Sequence, residues 1–477
     1  MKIRSIFSFL LLLTFWSGAK AQEAESNRSF TLQEAIDYAL SNSVAVKNSK
    51  LDEQAAKAKV GETRGAGLPQ ISGAVQLSHS DPLQRMFFSV DETNPLIGNQ
   101  PGMDQLPNGS VIAFPNFFQL PSSGDASLSV NQLLFSGSYF VGLQAAKTYR
   151  QLALKSTQQS KIQTVEQVTK AYYTVLINQE RMMLFDANIA RVDSLLNDTK
   201  ALYKNGFAEN IDVVRLQVTM NSLQIEKEKF ANLSELSKQL LKFQMNYPMS
   251  EKIELESSLV DMELDDHNLE LLSSEAEYSK RIEFSLLETQ QKMQELDLKN
   301  RKTAYLPTLS AFAKYGYFTQ SPDIGGLFKT ETKGLPEGAP VGPDKWYGYG
   351  MFGVSLQLPI FDGLSRSYKV QQAKIELEKT KNQFKNLESS IDLQVSQAKI
   401  NLRNSLKTMQ AQKENVELAE EVARVTRIKY LSGVGSNFEV TEAESSLKEE
   451  QINYYNALYD VVISKIELQS ALGTLVQ

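Results

Sequence analysis

The 477-residue chain carries 50 basic and 56 acidic residues, a formal net charge of −6 at pH 7, 42% hydrophobic residues, no cysteine and only two histidines. Net acidity makes nucleic acid a poor partner, and the missing cysteines exclude disulfides, thiolate metal sites, cysteine nucleophiles and a lipidated N-terminal cysteine. His79 and His267 alone give histidine-based hydrolase or metal constellations almost no material, so neither enzyme activity nor a cofactor is expected.

In chain order, Lys2 and Arg4 precede a mostly apolar run from Ile6 to Trp16, and Ala19-Lys20-Ala21 follows as a small-x-small cleavage site. Residues 1–21 read as a secretory signal peptide. The run is too short for the roughly 20 residues of a membrane-spanning helix, and no later segment is apolar enough for one. Membrane insertion, if it occurs, must use β-strands.

All fourteen prolines fall in three places: Pro69 to Pro121, Pro248 alone, and Pro307 to Pro359. Between them lie long stretches rich in Gln, Lys, Glu, Leu and Ala, which read as helix. The first runs from about Ser138 to Lys204 and the second from about Leu364 to Leu431, each ~100 Å at 1.5 Å per residue. Each meets a glycine turn, at Gly206 and Gly433, and shorter helices return from about Ile211 to Asn246 and from about Phe438 to Leu472. In the second long stretch Ile391, Val395, Ala398, Leu402, Met409, Val416, Ala419, Ala423 and Tyr430 keep a 3,4 spacing, with Ser405, Gln412 and Thr426 filling the seam. So narrow and partly polar a stripe suits a helix that touches neighbours only at its flanks.

The order of features occurs twice. Leu68-Pro69 corresponds to Leu306-Pro307, Phe135-Ser136-Gly137 to Phe361-Asp362-Gly363, and Tyr203 to Gly206 to the segment Tyr430 to Gly433. Two internal structural repeats are therefore expected, over residues 22–245 and 281–477, with residues 246–280 between them. After each Leu-Pro pair comes a period-two segment. Ile71, Gly73, Val75 and Leu77 alternate with Gln70, Ser72, Ala74, Gln76 and Ser78, and Leu309, Ala311, Ala313, Tyr315 and Tyr317 alternate with Thr308, Ser310 and Lys314, with Phe312 breaking the pattern. Partner strands are expected from about Ala126 to Phe135 and from about Tyr347 to Ile360. Periodicity by itself fits a soluble hairpin with one buried face as well as a strand between lipid and water. The loops over 79–125 and 319–346 are long and all at one end, which suits an outer-membrane barrel and argues against a soluble coiled-coil adaptor or adhesin. Four strands per chain cannot close on themselves, and open edges in hydrocarbon leave unpaired peptide groups at several kcal/mol each. More copies must complete the wall, and this argument by itself allows two, three or four.

The chain resembles the TolC-type outer-membrane efflux proteins over essentially all of the sequence after residue 21. The markers are Thr31-Leu32-Gln33-Glu34-Ala35 with Ala39, the two Leu-Pro pairs, the turn pairs Ser136-Gly137 and Asp362-Gly363, the glycine turns and the closing Ser470-Ala471-Leu472-Gly473-Thr474-Leu475. The resemblance implies a mixed α/β membrane protein: a homotrimeric, 12-stranded transmembrane β-barrel in outer-membrane lipid, continued by a long periplasmic α-helical barrel. It implies an equatorial region at residues 22–35 and about 247–280. It also implies a periplasmic tip, closed at rest, that opens on docking to a periplasmic adaptor (membrane fusion) protein and an inner-membrane pump, in tripartite efflux or type I secretion.

At that tip the family places two pore-facing carboxylates three residues apart, and the matching residues are Glu439 and Glu442. Six such carboxylates in a trimer would favour cations and could bind metal, whereas glutamates at a helix start also simply complement its dipole, worth ~0.3–1 kcal/mol. Asp212 and Tyr430 match closed-state tethers, but Gly435 stands where the family has a tethering arginine. Gly206 and Gly433 match the turns that meet the adaptor.

Overall fold

The structure, a computed structural model, describes residues 28–90, 106–107, 109–116, 118–256, 267–328 and 346–475. The expected signal peptide, the first residues of the expected equatorial region and parts of both long loops lie outside them. The elements in order are β1 (Arg28–Phe30), α1 (Leu32–Asn42), α2 (Val44–Gly65), β2 (Gln70–His79), β3 (Arg85–Ser89), β4 (Val111–Pro115), β5 (Ser122–Phe135), α3 (Gly137–Lys204) and α4 (Asn210–Met245). There follow β6 (Ile253–Leu255), α5 (His267–Ser273), α6 (Ile282–Thr303), β7 (Thr308–Ser321), β8 (Tyr347–Gln357), α7 (Ser365–Leu431) and α8 (Asn437–Leu472). α3 and α7 have 68 and 67 residues, and α4 and α8 have 36 each. The chain forms two compact units, one of residues 1–53, 153–288 and 382–477, the other of residues 54–152 and 289–381. Each unit draws on both expected repeats, so the units are not the repeats themselves.

The second unit holds an antiparallel sheet in the order β2-β5-β7-β8. Because side chains alternate across a pleated strand, the observed register sorts the sheet into two chemically different faces. One carries Ile71, Val75 and Leu77 beside Leu128 and Val130, then Ala311, Ala313, Tyr315 and Tyr317, then Phe352, Val354 and Leu356. The other carries Ser72 and Gln76, Asp125, Ser129 and Asn131, Ser310 and Lys314, and Ser355 and Gln357. On this polar face hydroxyls bond across the first pair, Ser72 to Ser129 at 2.8 Å and Ser78 to Ser123 at 2.7 Å.

Phe312, the break in the alternation, sits on the polar face opposite Gly353, and its ring fills the space where a side chain at 353 would stand. β8 stops at Gln357 rather than near Ile360, because Pro359 offers no N–H to a ladder. β5 starts at Ser122 rather than Ala126, since His79 on one side and Ser321 on the other carry the pairing outward through small residues of low strand preference. A β3–β4 hairpin, with Phe88 and Phe114 edge to face at 6.2 Å, occupies part of the expected first loop.

The sheet is tightest at Gly316, where a Cβ would lie 2.7 Å from the Ala126 carbonyl oxygen and 2.7 Å from the Ser127 Cβ. Gly316→Ala must push backbone against backbone and is expected to destabilise by about 1–3 kcal/mol. Gly73→Ala, with nothing within 4 Å of the added carbon, should be near neutral. Thermal unfolding of the two variants in detergent checks the contrast.

The first unit is built on helices. Thr31 caps α1 in a capping box with Glu34, whose backbone N–H donates to Thr31 Oγ1 at 3.3 Å and whose carboxylate accepts from the Thr31 N–H at 2.9 Å. Beside it β1 and β6 pair in parallel, joining residues 28–30 to 253–255. They cover a core of Phe30, Ala35, Ala39, Tyr172, Leu241, Met245, Tyr247 and Ile253. Both strands fall within the segments expected to be equatorial. A second core sets Ile391, Val395, Ala398, Leu402 and Met409 of α7 against Ala457, Val461, Leu468 and Leu472 of α8. The 3,4 seam is thus buried where it was expected, with Val416 and Ala419 only half-buried.

Candidate functional site

The far ends of the two helical hairpins, both in the first unit, carry the predicted site residues. α3 and α7 end in the same bonded turn. Gly206 N–H donates to the Tyr203 carbonyl at 3.0 Å and Phe207 N–H to that of Leu202 at 2.9 Å. Gly433 N–H donates to Tyr430 at 3.0 Å and Val434 N–H to Lys429 at 3.0 Å. Gly206 and Gly433 have φ of +80° and +76°, the left-handed conformation that closes a helix of this kind and that a Cβ disfavours.

α4 and α8 then start on polar caps. Asp212 accepts from the Glu209 N–H at 3.2 Å, and Ser436 Oγ accepts from the Glu439 N–H at 3.2 Å. Asp212 is therefore engaged at the start of its own helix. Tyr430 is buried among Leu195, Leu196, Leu216 and Val440, and its hydroxyl bonds Thr199 Oγ1 on α3 at 3.1 Å. The structure does not bring Tyr430 to Asp212. Gly435 packs so closely on the end of α7 that a Cβ would lie 3.1 Å from the Tyr430 nitrogen. An arginine nevertheless fastens α7 to α3 from inside the helix. Arg427 Nη2 donates to Ser194 Oγ at 2.8 Å and lies 3.5 Å from Asp198 Oδ2.

Glu439 and Glu442 are both exposed in the first turns of α8. Glu442 lines an open groove between α4 and α8 with Val214, Arg215, Val218, Thr219, Phe438 and Thr441. The Arg215 guanidinium stands 6.0 Å from the centre of the Phe438 ring.

Away from the turns, α3 and α8 meet through polar rungs. Ser470 donates to Glu166 at 2.8 Å, Lys170 lies 3.1 Å from Glu166 and 3.2 Å from Glu467, Arg181 bonds Asn456, Asn188 donates to Gln451 at 3.3 Å, and Arg191 Nε lies 3.2 Å from the buried Glu444. Burial works against the Lys170 ammonium, yet its hydrogen bonds to Glu166 and Glu467 outweigh that and hold its pKa above the ordinary lysine value. Sequence reading missed Arg427 and these rungs. Apart from the Lys170–Glu166 pair within α3, each joins residues more than 220 positions apart, and neither partner alone differs from a solvated helix residue.

In the second unit Tyr349 donates its hydroxyl to Asp125, and Lys314 lies 3.6 Å from the same carboxylate, all three on the polar face of the sheet. His79 Nδ1 is 2.9 Å from Ser122 Oγ, a strand-end bond. The side chain of His267 lies outside the described residues. Among the described residues no group of three or more His, Cys, Asp or Glu side chains is placed to hold a metal ion. No helix among them is long and apolar enough to cross a membrane.

Residues 35–241 and 297–474 match the family model described as outer membrane efflux protein. The chain is 22% identical over 433 residues to outer membrane protein TolC of Escherichia coli K12, covering 85% of each. It is 21% identical over 360 residues to TolC of Vibrio cholerae O1, covering 75% of this chain and 79% of its counterpart. Among solved structures, the fold is similar to VceC of Vibrio cholerae, with a TM-score of 0.66 at 15% identity over 93% of this chain and 96% of the other. It is also similar to the Neisseria gonorrhoeae MtrE channel in its open state, with a TM-score of 0.68 at 18% identity over 93% and 88%. The family match spans both helical hairpins and reaches all four strands of the main sheet, so the chain belongs to the outer membrane efflux protein family and is an outer-membrane protein of the efflux-channel kind.

Proposed function

We propose that three copies of this chain close a 12-stranded barrel in the outer membrane and continue it as a periplasmic helical tunnel. Through it, small molecules or polypeptides handed over by a periplasmic adaptor and an inner-membrane pump leave passively, in efflux or type I secretion. One observation carries the reading: a four-stranded sheet with one apolar and one polar face ends in β2 and β8, each of which has one edge without a partner strand among the described residues. Lipid on one face and water on the other explain the faces, and β8 of one copy pairing with β2 of the next satisfies the edges. The matched helix lengths and the identically bonded turns support an origin by internal duplication. Purified protein should run as a heat-modifiable trimer and form pores in planar bilayers. A monomer that is soluble without detergent and forms no pore would overturn this.

Within this reading Gly206 and Gly433 form the turns that meet the adaptor, and Tyr430 and Asp212 belong to the apparatus that holds the tip shut. Glu439 and Glu442 line its aperture, six carboxylates in the ring. Replacing both glutamates with Ala is expected to bring cation-over-anion permeability towards unity and to weaken divalent-ion block. Unchanged currents would remove the pair from the aperture and leave it the role of complementing the α8 dipole.

A further inference from the structure

The strands of the main sheet are almost without charge. Among all the residues of β2, β5, β7 and β8, His79 at the very end of β2 aside, only Asp125 and Lys314 are ionisable to a full charge near neutral pH. Both stand on the polar face, on the neighbouring strands β5 and β7, among serine, glutamine and asparagine side chains. They are not cross-strand partners. Asp125 pairs with Phe318 and Lys314 with Ser129, so their backbones are four residues, roughly 13 Å, apart along the strands. The side chains close that distance by leaning towards each other, and Lys314 Nζ lies 3.6 Å from Asp125 Oδ1.

The surroundings hold the two together. Midway between them Gly316 pairs with Ser127 on one side and Tyr349 on the other. Ser127 Oγ donates to Asp125 Oδ1 at 3.0 Å, and the Tyr349 hydroxyl donates to Asp125 Oδ2, reaching across β7 where Gly316 offers no side chain. Lys314 Nζ stands 5.4 Å from the centre of the Tyr349 ring, so the ammonium lies between a carboxylate and an aromatic face. Yet the pair is wet: the Lys314 side chain is 37% exposed and that of Asp125 29%. An ion pair this open adds little to stability, and its main consequence is the field it removes.

We infer that Asp125 and Lys314 are a charge-compensating site of the barrel wall, which keeps the lumen indifferent to the sign of passing ions and charged cargo. The inference rests on the barrel proposed above and specifies how its wall treats charge. In a ring of three copies the cluster would bring three carboxylates and three ammonium groups to one level. Either set alone, on a wall backed by lipid, would project a potential about a Debye length into the lumen, ~10 Å at 0.1 M salt. Opposite charges held 3.6 Å apart leave only a dipole, whose field fades much sooner. Charge selection is then left to residues outside the four strands.

Reversal potentials in planar bilayers under a salt gradient test this, with the full-length protein in its native form and with Glu439→Ala and Glu442→Ala, so that the tip does not mask the barrel. Against either parent, Asp125→Asn should move the permeability ratio a few-fold towards anions and Lys314→Gln a few-fold towards cations. The double variant should return to the parent value. Both shifts should grow on dilution from ~0.1 M to ~0.01 M salt, as the Debye length rises from ~10 to ~30 Å. Asp125→Glu and Lys314→Arg keep the charges and should leave the ratio unchanged. Shifts of the same sign in both single variants, a double variant that stays displaced, or conducting pores with no shift in either would overturn the proposal. So would equal shifts in the charge-keeping variants. Single variants that fail to assemble as trimers would make the pair a clamp between strands, and that result also overturns it. A parent protein that forms no pore would instead bring down the barrel itself.

Discussion

In the proposed barrel, replacing Val75 with Arg is expected to abolish recovery of a heat-modifiable trimer from the outer membrane, while Arg at the adjacent Gln76 leaves it intact. The two residues lie at the middle of β2 on opposite faces, Val75 beside Ala126 and Gln76 beside Asp125. Arginine on a lipid-facing strand costs about 2–4 kcal/mol near the bilayer midplane. The cost recurs in every copy of the proposed ring. At Gln76 the guanidinium would stand in water beside Asp125, and the expected change is in conduction, with selectivity shifted towards anions. Normal assembly of Val75→Arg together with loss of Gln76→Arg would mean that the faces are reversed. Loss of both would mean that neither face is wet.

The second large effect is expected at Tyr172. Its side chain is fully buried in the core that α1, α3 and α4 share, and its hydroxyl donates to the Phe30 carbonyl at 3.0 Å, fixing β1 over that core. Tyr172→Ala removes a whole aromatic ring and should destabilise by about 3–5 kcal/mol. Tyr172→Phe removes only the hydroxyl, and because the Phe30 carbonyl also accepts from the Glu256 N–H at 3.3 Å, the expected cost is nearer ~1 kcal/mol. Thermal unfolding of the helical signal in detergent separates the two. Equal losses would make the hydroxyl, rather than ring packing, the anchor of β1.

Much of the architecture was legible because it is written in local chemistry. Leu68-Pro69 and Leu306-Pro307 close helices and open strands, and Gly206 and Gly433 end helices that contain no proline and, past the first turns of α3 at Gly142, no glycine. Period-two alternation around Ile71 and Leu309 gives the faces of the sheet. One boundary moved because partners decided it, at Ser122, which neighbours on both sides draw into β5, and another because of local chemistry, at Pro359, whose missing N–H ends β8. β1 and β6 were not legible. Three residues carry no periodicity, and their parallel pairing spans more than 220 positions. The β3–β4 hairpin was hidden for a similar reason, because Arg85 to Ser89 shows no alternation by itself.

The candidate site divides in the same way. Sequence placed the turns and the two glutamates, and the structure puts both glutamates in the first turns of α8. It bonds the Tyr430 hydroxyl to Thr199, seats Gly435 where a side chain would crowd Tyr430, and has Arg427 join α7 to α3. The sequence by itself determined the order of the long helices and the four main strands, the turns, the two-faced strands and the resemblance to a membrane-embedded family, because propensity, caps and alternation act over a few residues. Only tertiary structure decided which helices face each other, and with them the Arg191–Glu444 pairing and the site of Arg427. A side chain's partner across hundreds of positions is set by how the hairpins pack, and nothing in its own neighbourhood encodes that choice.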